Sequence, residues 1–146
     1  MKVAFYKGKG RLFNAAVRWW TQSPHSHCEI VMDNGLSIGS SYRDGGVRRK
    51  MIDYAEHSDR WDFIDIGPET PERLARIDSM FGMKYDLRGI LGMVWRAAKE
   101  DKRKVFCSDF VACVEGLPDS WRFDPGLLHG VLQFIYEDRN KAQDGR

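Results

Sequence analysis

The sequence predicts an α+β domain in which an antiparallel sheet packs on helices. Two kinds of pattern support this prediction. Short apolar or alternating stretches bounded by turn residues are typical of strands, and they dominate the first half of the chain. Stretches with apolar residues three and four positions apart are typical of helices, and they dominate the second half. At 146 residues the chain is long enough for one domain with an ordinary core. We expect that domain to span residues 1–136 and a polar tail to follow over 137–146.

Strands are predicted first at Val3 to Tyr6 and then in a four-strand antiparallel meander. Asp33-Asn34-Gly35 is typical of a hairpin connection, because Asn-Gly tolerates the positive φ of tight turns. Side chains alternate between apolar and polar almost perfectly from Trp61 to Ile66, which indicates a half-buried strand. A last strand, Leu132 to Tyr136, is expected to close the sheet. The four strands of the meander are residues 27–32, 36–41, 47–52 and 61–66.

Helices are predicted where apolar residues recur at i, i+3 and i+4. Thr70-Pro71-Glu72 has the residue types of an N-cap and a first helical turn, and Gly82 is placed to end that helix. A short helix begins at Asp124-Pro125 and runs through His129. The remaining predicted helices are residues 11–20, 87–98 and 107–114.

Composition excludes several classes of protein. The 23 basic and 21 acidic residues give a net charge of only +2, which is no reason to expect a nucleic-acid partner. No apolar run approaches the about 18 residues of a membrane helix, and the first residues lack the apolar core of a secretory signal. We therefore expect a cytoplasmic protein. An odd count of three cysteines indicates reduced thiols rather than a disulfide framework.

Cys107 is the residue around which a functional prediction forms. Apolar residues recur at helical spacing from Phe110 to Val114, so Cys107 is expected to open the helix, and Gly116 is placed to stop it. Unpaired N–H groups and the helix dipole at an N-terminus favour a thiolate, which is the nucleophilic form of cysteine. The alternative is a buried structural cysteine, as is expected for Cys113 in the middle of the helix.

A cysteine nucleophile needs a base, and His27 is the candidate. It is predicted to be the first residue of a strand, where it can face the Cys107 helix although the two are far apart in sequence. Pairs of catalytic cysteine and histidine are brought together by the fold and not by adjacency along the chain.

Three motifs in this order resemble those of the circularly permuted NlpC-type papain-like proteins. They are Ser-His-Cys-Glu-Ile-Val (26–31), Lys-Tyr-Asp-Leu (84–87) and Phe-Cys-Ser-Asp-Phe-Val (106–111). The group includes bacterial lipid hydrolases and relatives of lecithin:retinol acyltransferase, and residues 40–48 are similar to a segment of phage-encoded members. For a phage-encoded protein the resemblance implies a place in the host cytoplasm or in the virion. The resemblance implies a permuted papain-like fold with Cys107 as nucleophile, His27 as general base and no cofactor.

The group that orients the base is less clear from the sequence. The lipid-hydrolase branch has a glutamate on the strand after the histidine strand, and residues 37–40 here contain no carboxylate. Asp44 follows that strand closely and is our first choice. Glu29 is the second, because side chains alternate along a strand and Glu29 therefore shares a face with His27. Ser40 and Ser41 are weaker candidates.

Two further patterns have both a functional and a plain interpretation. His25, His27, Cys28 and Glu29 are all of types that bind zinc, but Cys28 is expected on the opposite strand face, so we predict no metal site there. The segment 41–50 carries four basic residues and Gly45-Gly46, which suit a phosphate or a carboxylate, or simply a solvated hairpin. The other two histidines, at 57 and 129, are expected to be surface groups.

The sequence thus predicts a cysteine hydrolase or acyltransferase that works through an acyl-cysteine intermediate. Its expected substrates are cell-wall peptides, or lipid and N-acyl compounds, as the resemblance implies. The competing prediction is a non-catalytic phage structural or host-interaction protein that retains the fold.

Overall fold

Five antiparallel strands form one sheet, in the order β4-β3-β2-β1-β5. The computed structural model describes residues 1–9, 12–88 and 103–138, and over these residues the chain is α+β. The strands are β1 (Lys2–Tyr6), β2 (His27–Val31), β3 (Leu36–Ser41), β4 (Gly46–Met51) and β5 (Trp61–Asp65). The helices are α1 (Leu12–Thr21), α2 (Pro71–Met80), α3 (Cys107–Val114) and α4 (Pro125–Gln133), and a π-helical turn, Phe134–Asp138, follows α4.

The hairpins β2-β3 and β3-β4 confirm three strands of the predicted meander. Met32 N–H donates to the Leu36 carbonyl at 2.9 Å, and Gly35 between them has a φ of +83°, as a tight turn requires. The fourth predicted strand, 61–66, is present as β5, but its predicted place in the meander is wrong, because β5 pairs with β1 at the opposite side of the sheet. In that register Val3 lies beside Ile64, and both side chains are buried in the core. Pairing with β1 therefore lets Ile64 of β5 pack beside Val3 in the core.

The core lies between the sheet and three helices. Helix α3 packs across β2 and β3, with α2 and α4 on either side of it. Every strand contributes apolar side chains to this core, and α3 is buried over most of its length. The fully buried large side chains include Val3, Phe5, Ile30, Ile64, Ile66, Ile77, Phe110, Val111, Leu128 and Leu132.

The predicted helix starts are confirmed by their caps. Thr70 Oγ1 accepts a hydrogen bond from Arg73 N–H at 3.3 Å, and Pro71 is the first residue of α2. The Asp124 carboxylate accepts from the N–H groups of Gly126 and Leu127 at the start of α4. Both caps satisfy N–H groups that have no partner within their own helix.

The strand predicted over 132–136 is wrong, because this stretch is helical. Leu128 and Leu132 are one helical turn apart and both are fully buried. A strand would have placed Leu132 and Phe134 on one face, yet Phe134 is 68% exposed. The helix predicted over 87–98 and the tail predicted over 137–146 lie almost wholly outside the described residues. No helix within the described ranges is long and apolar enough to cross a membrane.

Candidate active site

Three short connections hold the segment that leads into Cys107. Val105 N–H donates to the Lys84 carbonyl at 3.1 Å, and Tyr85 N–H donates to the Gly45 carbonyl at 3.0 Å. Ser40 Oγ on β3 donates to the Val105 carbonyl at 2.5 Å. The start of α3 is therefore fixed against the sheet by backbone groups and by one buried serine.

Cys107 is the first residue of α3, as predicted. Phe106 before it is extended, and Phe110 N–H closes the first helical bond on the Phe106 carbonyl at 2.9 Å. The N–H groups within this first turn have no intrahelical acceptor, so they point their positive dipoles toward the Cys107 region. Cys107 is 5% exposed and belongs to the buried core.

His27, Glu29 and Arg48 form a continuous chain of hydrogen bonds. His27 Nε2 is 2.8 Å from Glu29 Oε1. Arg48 donates two hydrogen bonds to the same carboxylate through its two terminal nitrogens, at 2.6 and 2.9 Å. A bidentate guanidinium fixes the plane of the carboxylate as well as its charge. Because Nε2 of His27 is bonded to Glu29, Nδ1 is the ring nitrogen that remains for Cys107.

Cys107 and His27 stabilise each other's charged forms. A hydrogen bond with the Cys28 side chain, together with the positive charge of His27, outweighs burial and holds the pKa of Cys107 well below its ordinary value of 9.0. Burial disfavours the His27 imidazolium, but the negative charge on Cys107 and hydrogen bonds with Cys107 and Glu29 raise its pKa to about 10. Burial, reinforced by Cys107, raises the pKa of Cys28 well above 9.0. These shifts favour the thiolate form of Cys107, the imidazolium form of His27 and the neutral thiol of Cys28.

Glu29 is ionised although it is only 2% exposed. Burial alone raises the pKa of a carboxyl group, but hydrogen bonds from Arg48 and His27 reverse the effect and lower the pKa of Glu29 to about 2. The negative charge that results lies between two cations and keeps the His27 ring in one orientation.

The structure reverses the order in which the sequence ranked the orienting groups. Asp44 Oδ2 accepts from Arg48 Nε at 2.8 Å, so it supports Glu29 through Arg48 and does not bond His27. Ser40 is bonded to the Val105 carbonyl. The loop after β3 carries Asp44 to the outer side of Arg48, where its side chain is 33% exposed. Glu29 holds the inner position because it is two residues from His27 on the same face of β2.

Gly39 on β3 explains how Glu29 finds room there. A Cβ atom at position 39 would lie only 3.0 Å from Glu29 Cγ. Because residue 39 is glycine, β3 leaves space for the Glu29 side chain of the neighbouring strand β2.

A cleft of about 650 Å³ opens beside His27 and Glu29. Its walls include charged side chains of both signs and several aromatic rings. Tyr85 lines this cleft, and its hydroxyl is close enough to Cys107 that burial and the thiolate charge raise the pKa of Tyr85 above its usual range. Cys107 is not among the described residues that line the cleft. Other lining residues are Tyr6, Tyr42, Arg43, Lys50, Arg60 and Trp61.

The zinc set considered from the sequence is not assembled. His27 and Glu29 belong to the Cys107 site, and Cys28 is fully buried on the core face of β2. His25 turns away to the Asp62 carboxylate, 2.8 Å from its Nε2. Of the two histidines expected at the surface, His57 is exposed. His129 was predicted wrongly, because it is half-buried and stacks on another ring.

Sequence reasoning missed three residues that contribute to the candidate site. Arg48 was noticed only as part of a basic hairpin, and its i, i+4 spacing from Asp44 was the available signal. Tyr85 lies in one of the three motifs but received no role. Cys28 was predicted on the opposite strand face, correctly, but no pattern in the sequence indicated its contact with Cys107 from the core side.

No family model matches the chain, and no curated protein matches it either.

Proposed function

We propose that the protein is a cysteine hydrolase that cleaves an amide or an ester through an acyl-cysteine intermediate at Cys107. The observation that supports this most directly is the arrangement Cys107, His27, Glu29, in which a thiol at a helix N-terminus contacts a histidine whose ring is held by a buried carboxylate. Nucleophile, base and orienting group are the three parts that such catalysis needs.

In the proposed reaction the Cys107 thiolate attacks the substrate carbonyl carbon and forms a carbon–sulfur bond. The carbonyl oxygen takes up the negative charge, and backbone N–H groups at the start of α3 stabilise it. His27 then donates its proton to the leaving amine or alcohol as the bond from carbon to that group breaks. Water, deprotonated by His27, attacks the thioester, and its cleavage releases an acid and restores the thiolate and imidazolium.

We further propose that the domain has the circularly permuted papain-like fold. The histidine strand precedes the cysteine helix in the chain, and that helix packs on an antiparallel sheet. Both features are those implied by the resemblance in the three motifs. One departure is that the orienting carboxylate belongs to the histidine strand itself and not to the following strand.

The charged residues of the cleft favour a substrate that carries peptide or anionic groups. Arg43, Lys50 and Arg60 line it together with tyrosine and tryptophan rings, an environment suited to peptide groups and carboxylates. A cell-wall peptide or a small N-acyl compound is therefore our proposed substrate class, and acyl transfer to an amine or alcohol in place of water is the related reaction.

The test is to trap the acyl-enzyme. The protein is incubated with an activated ester such as p-nitrophenyl acetate and analysed by intact and peptide mass spectrometry. We expect one acyl group on Cys107, released by neutral hydroxylamine as a thioester is. Cys113→Ser, which removes a second thiol from the same helix, should acylate normally, whereas Cys107→Ser and His27→Ala should not. Acylation at Cys113, or equal labelling of all variants, contradicts the proposal.

A second candidate function is a binding protein that retains the fold without catalysis, such as a phage structural or host-interaction protein. The observation that favours it is the burial of Cys107, which is 5% exposed and is not among the described residues that line the cleft. An unreactive Cys107 in the same experiment, in a protein that remains folded, supports this second candidate.

A further inference from the structure

Three side chains that the proposed reaction does not use converge at one end of the sheet. They are His25 just before β2, Asp62 on β5 and His129 on α4. One nitrogen or oxygen atom from each lies within 4.8 Å of the other two. The three residues are distant in the sequence, so their convergence is a product of the fold.

The two imidazole rings are held in place by packing. Their centroids are 4.2 Å apart with an angle of 28° between the planes. Phe5 in the core packs edge-on against His129, with the centroids 4.9 Å apart. His25 is 4% exposed and directs Nε2 at Asp62 Oδ2, 2.8 Å away. These contacts place both rings beside the Asp62 carboxylate.

We propose that His25, Asp62 and His129 bind a divalent transition metal ion of the zinc class. Imidazole nitrogen and carboxylate oxygen are common zinc ligands, and three protein ligands leave a fourth position open to water or to a small anion. Zinc bonds of about 2.0–2.1 Å place tetrahedral ligand atoms about 3.3 Å apart. The His25–Asp62 pair therefore has to open by about 0.5 Å, and ligand atoms as far as 4.8 Å apart have to close by up to about 1.5 Å. The ion then takes the place of the proton between these two groups.

Lys7 both shapes this site and competes with the ion. Its Nζ lies 2.6 Å from Asp62 Oδ1, which leaves Oδ2 directed at the imidazole rings. The ammonium charge repels a divalent cation bound a few ångströms away. Removing that charge with Lys7→Met should tighten metal binding by roughly tenfold at the dielectric of an exposed site.

The experiment has to separate this site from Cys107, Cys28 and His27, which also include zinc-binding residue types. The full chain, freed of metal with a chelator and kept reduced, is titrated with Co²⁺ and followed by absorption, and Zn²⁺ is then used to displace the cobalt. Cobalt at a nitrogen and oxygen site gives visible bands alone, whereas cobalt bound to a thiolate adds a strong near-ultraviolet charge-transfer band.

We expect visible bands without the charge-transfer band, at one ion per chain. His129→Ala should weaken binding by more than about 100-fold, because it removes a direct ligand. Asp62→Asn provides a second, conservative variant if His129→Ala does not fold. His57→Ala, which removes an exposed histidine outside the cluster, and Cys107→Ala should leave the cobalt affinity unchanged.

Any of three results overturns the proposal. The protein binds no cobalt at up to millimolar concentration, or the charge-transfer band appears and vanishes in Cys107→Ala, or His129→Ala and Asp62→Asn bind as tightly as the wild-type protein. Tighter binding in Lys7→Met, by contrast, is expected only for an ion placed at Asp62.

Discussion

Replacing Glu29 with glutamine is the sharpest test of the candidate active site. The amide has the shape of the carboxylate but not its charge, and it sits between the two cations His27 and Arg48. A pKa lowered from 4.5 to about 2 corresponds to roughly 3 kcal/mol in favour of the ionised form of this 2%-exposed side chain. Breaking a buried ion pair typically costs about 3–5 kcal/mol, and Asp44 still pairs with Arg48 in the variant. We therefore expect Glu29→Gln to lower the free energy of unfolding by about 2–4 kcal/mol near neutral pH.

This loss should depend on pH in a defined direction. A carboxyl group whose pKa is lower in the folded state stabilises the fold above its unfolded-state pKa, and the stabilisation disappears as the pH falls through the folded-state pKa. For Glu29 the window lies between 4.5 and about 2. The difference in stability between the wild-type protein and Glu29→Gln, measured by denaturant titration of tryptophan fluorescence, should therefore be constant between about pH 5 and 6 and narrow steadily below pH 4.5. It should also narrow above pH 6.5, because Glu29 helps to raise the pKa of His27 from 6.5 to about 10 and that stabilisation is lost as the pH rises through this range.

The same substitution should also raise the pKa of the Cys107 thiol, through its effect on His27. Glu29 helps to keep His27 protonated, and the imidazolium charge keeps the pKa of Cys107 low. In Glu29→Gln the pH profile of Cys107 alkylation by iodoacetamide, quantified by peptide mass spectrometry, should move to higher pH. Asp44→Asn is the matched control: Asp44 is partly exposed and touches only Arg48 within this chain of bonds. Asp44→Asn should lower the free energy of unfolding by less than about 1 kcal/mol and leave the pH profile of Cys107 alkylation unchanged. An equal shift in Asp44→Asn, or none in Glu29→Gln, refutes Glu29 as the orienting group.

Three further predictions follow from individual contacts. His27→Ala should raise the pKa of Cys107 toward 9.0 in the same alkylation assay, because the imidazolium charge is lost; an unmoved profile contradicts the pairing. Gly39→Ala should push on Glu29, 3.0 Å from the new Cβ atom, and should shift the Cys107 profile in the direction of Glu29→Gln; wild-type behaviour in both stability and profile counts against this contact. Gly130→Ala, in α4 with nothing within 4 Å of its new Cβ atom, should raise the free energy of unfolding by about 0.5–1 kcal/mol, because alanine loses less conformational entropy in a helix, and a loss of stability argues against open space there.

Local patterns in the sequence determined much of the architecture. Apolar spacing placed the first residue of α3 at Cys107, Asn34-Gly35 placed the β2-β3 turn, and Thr70-Pro71 placed the start of α2. These features depend on backbone geometry within a few residues. Helices and strands place side chains on one face at different spacings, so the two can be told apart in the sequence. For the same reason the alternation along β2 was enough to place Glu29 on the same strand face as His27.

What the sequence left open depended on how distant segments meet. The choice between Glu29 and Asp44 required the position of Arg48 on β4, and the role of Tyr85 required the path of the chain past Gly45. The strand order failed at β5 for a related reason, since alternation reports that a strand is half-buried but not which neighbour it pairs with.

The difference between what local sequence and what tertiary structure determine is clearest in the cluster of His25, Asp62 and His129. Each is unremarkable in its own stretch of sequence, and the three come together only when β5 pairs with β1 and α4 packs on the core. The sequence by itself determined which local elements form and which faces they bury, because propensity and hydrophobic period act over a few residues. Tertiary structure alone decided which charged and titratable groups become neighbours, because those distances are set by strand pairing and helix packing across the whole domain.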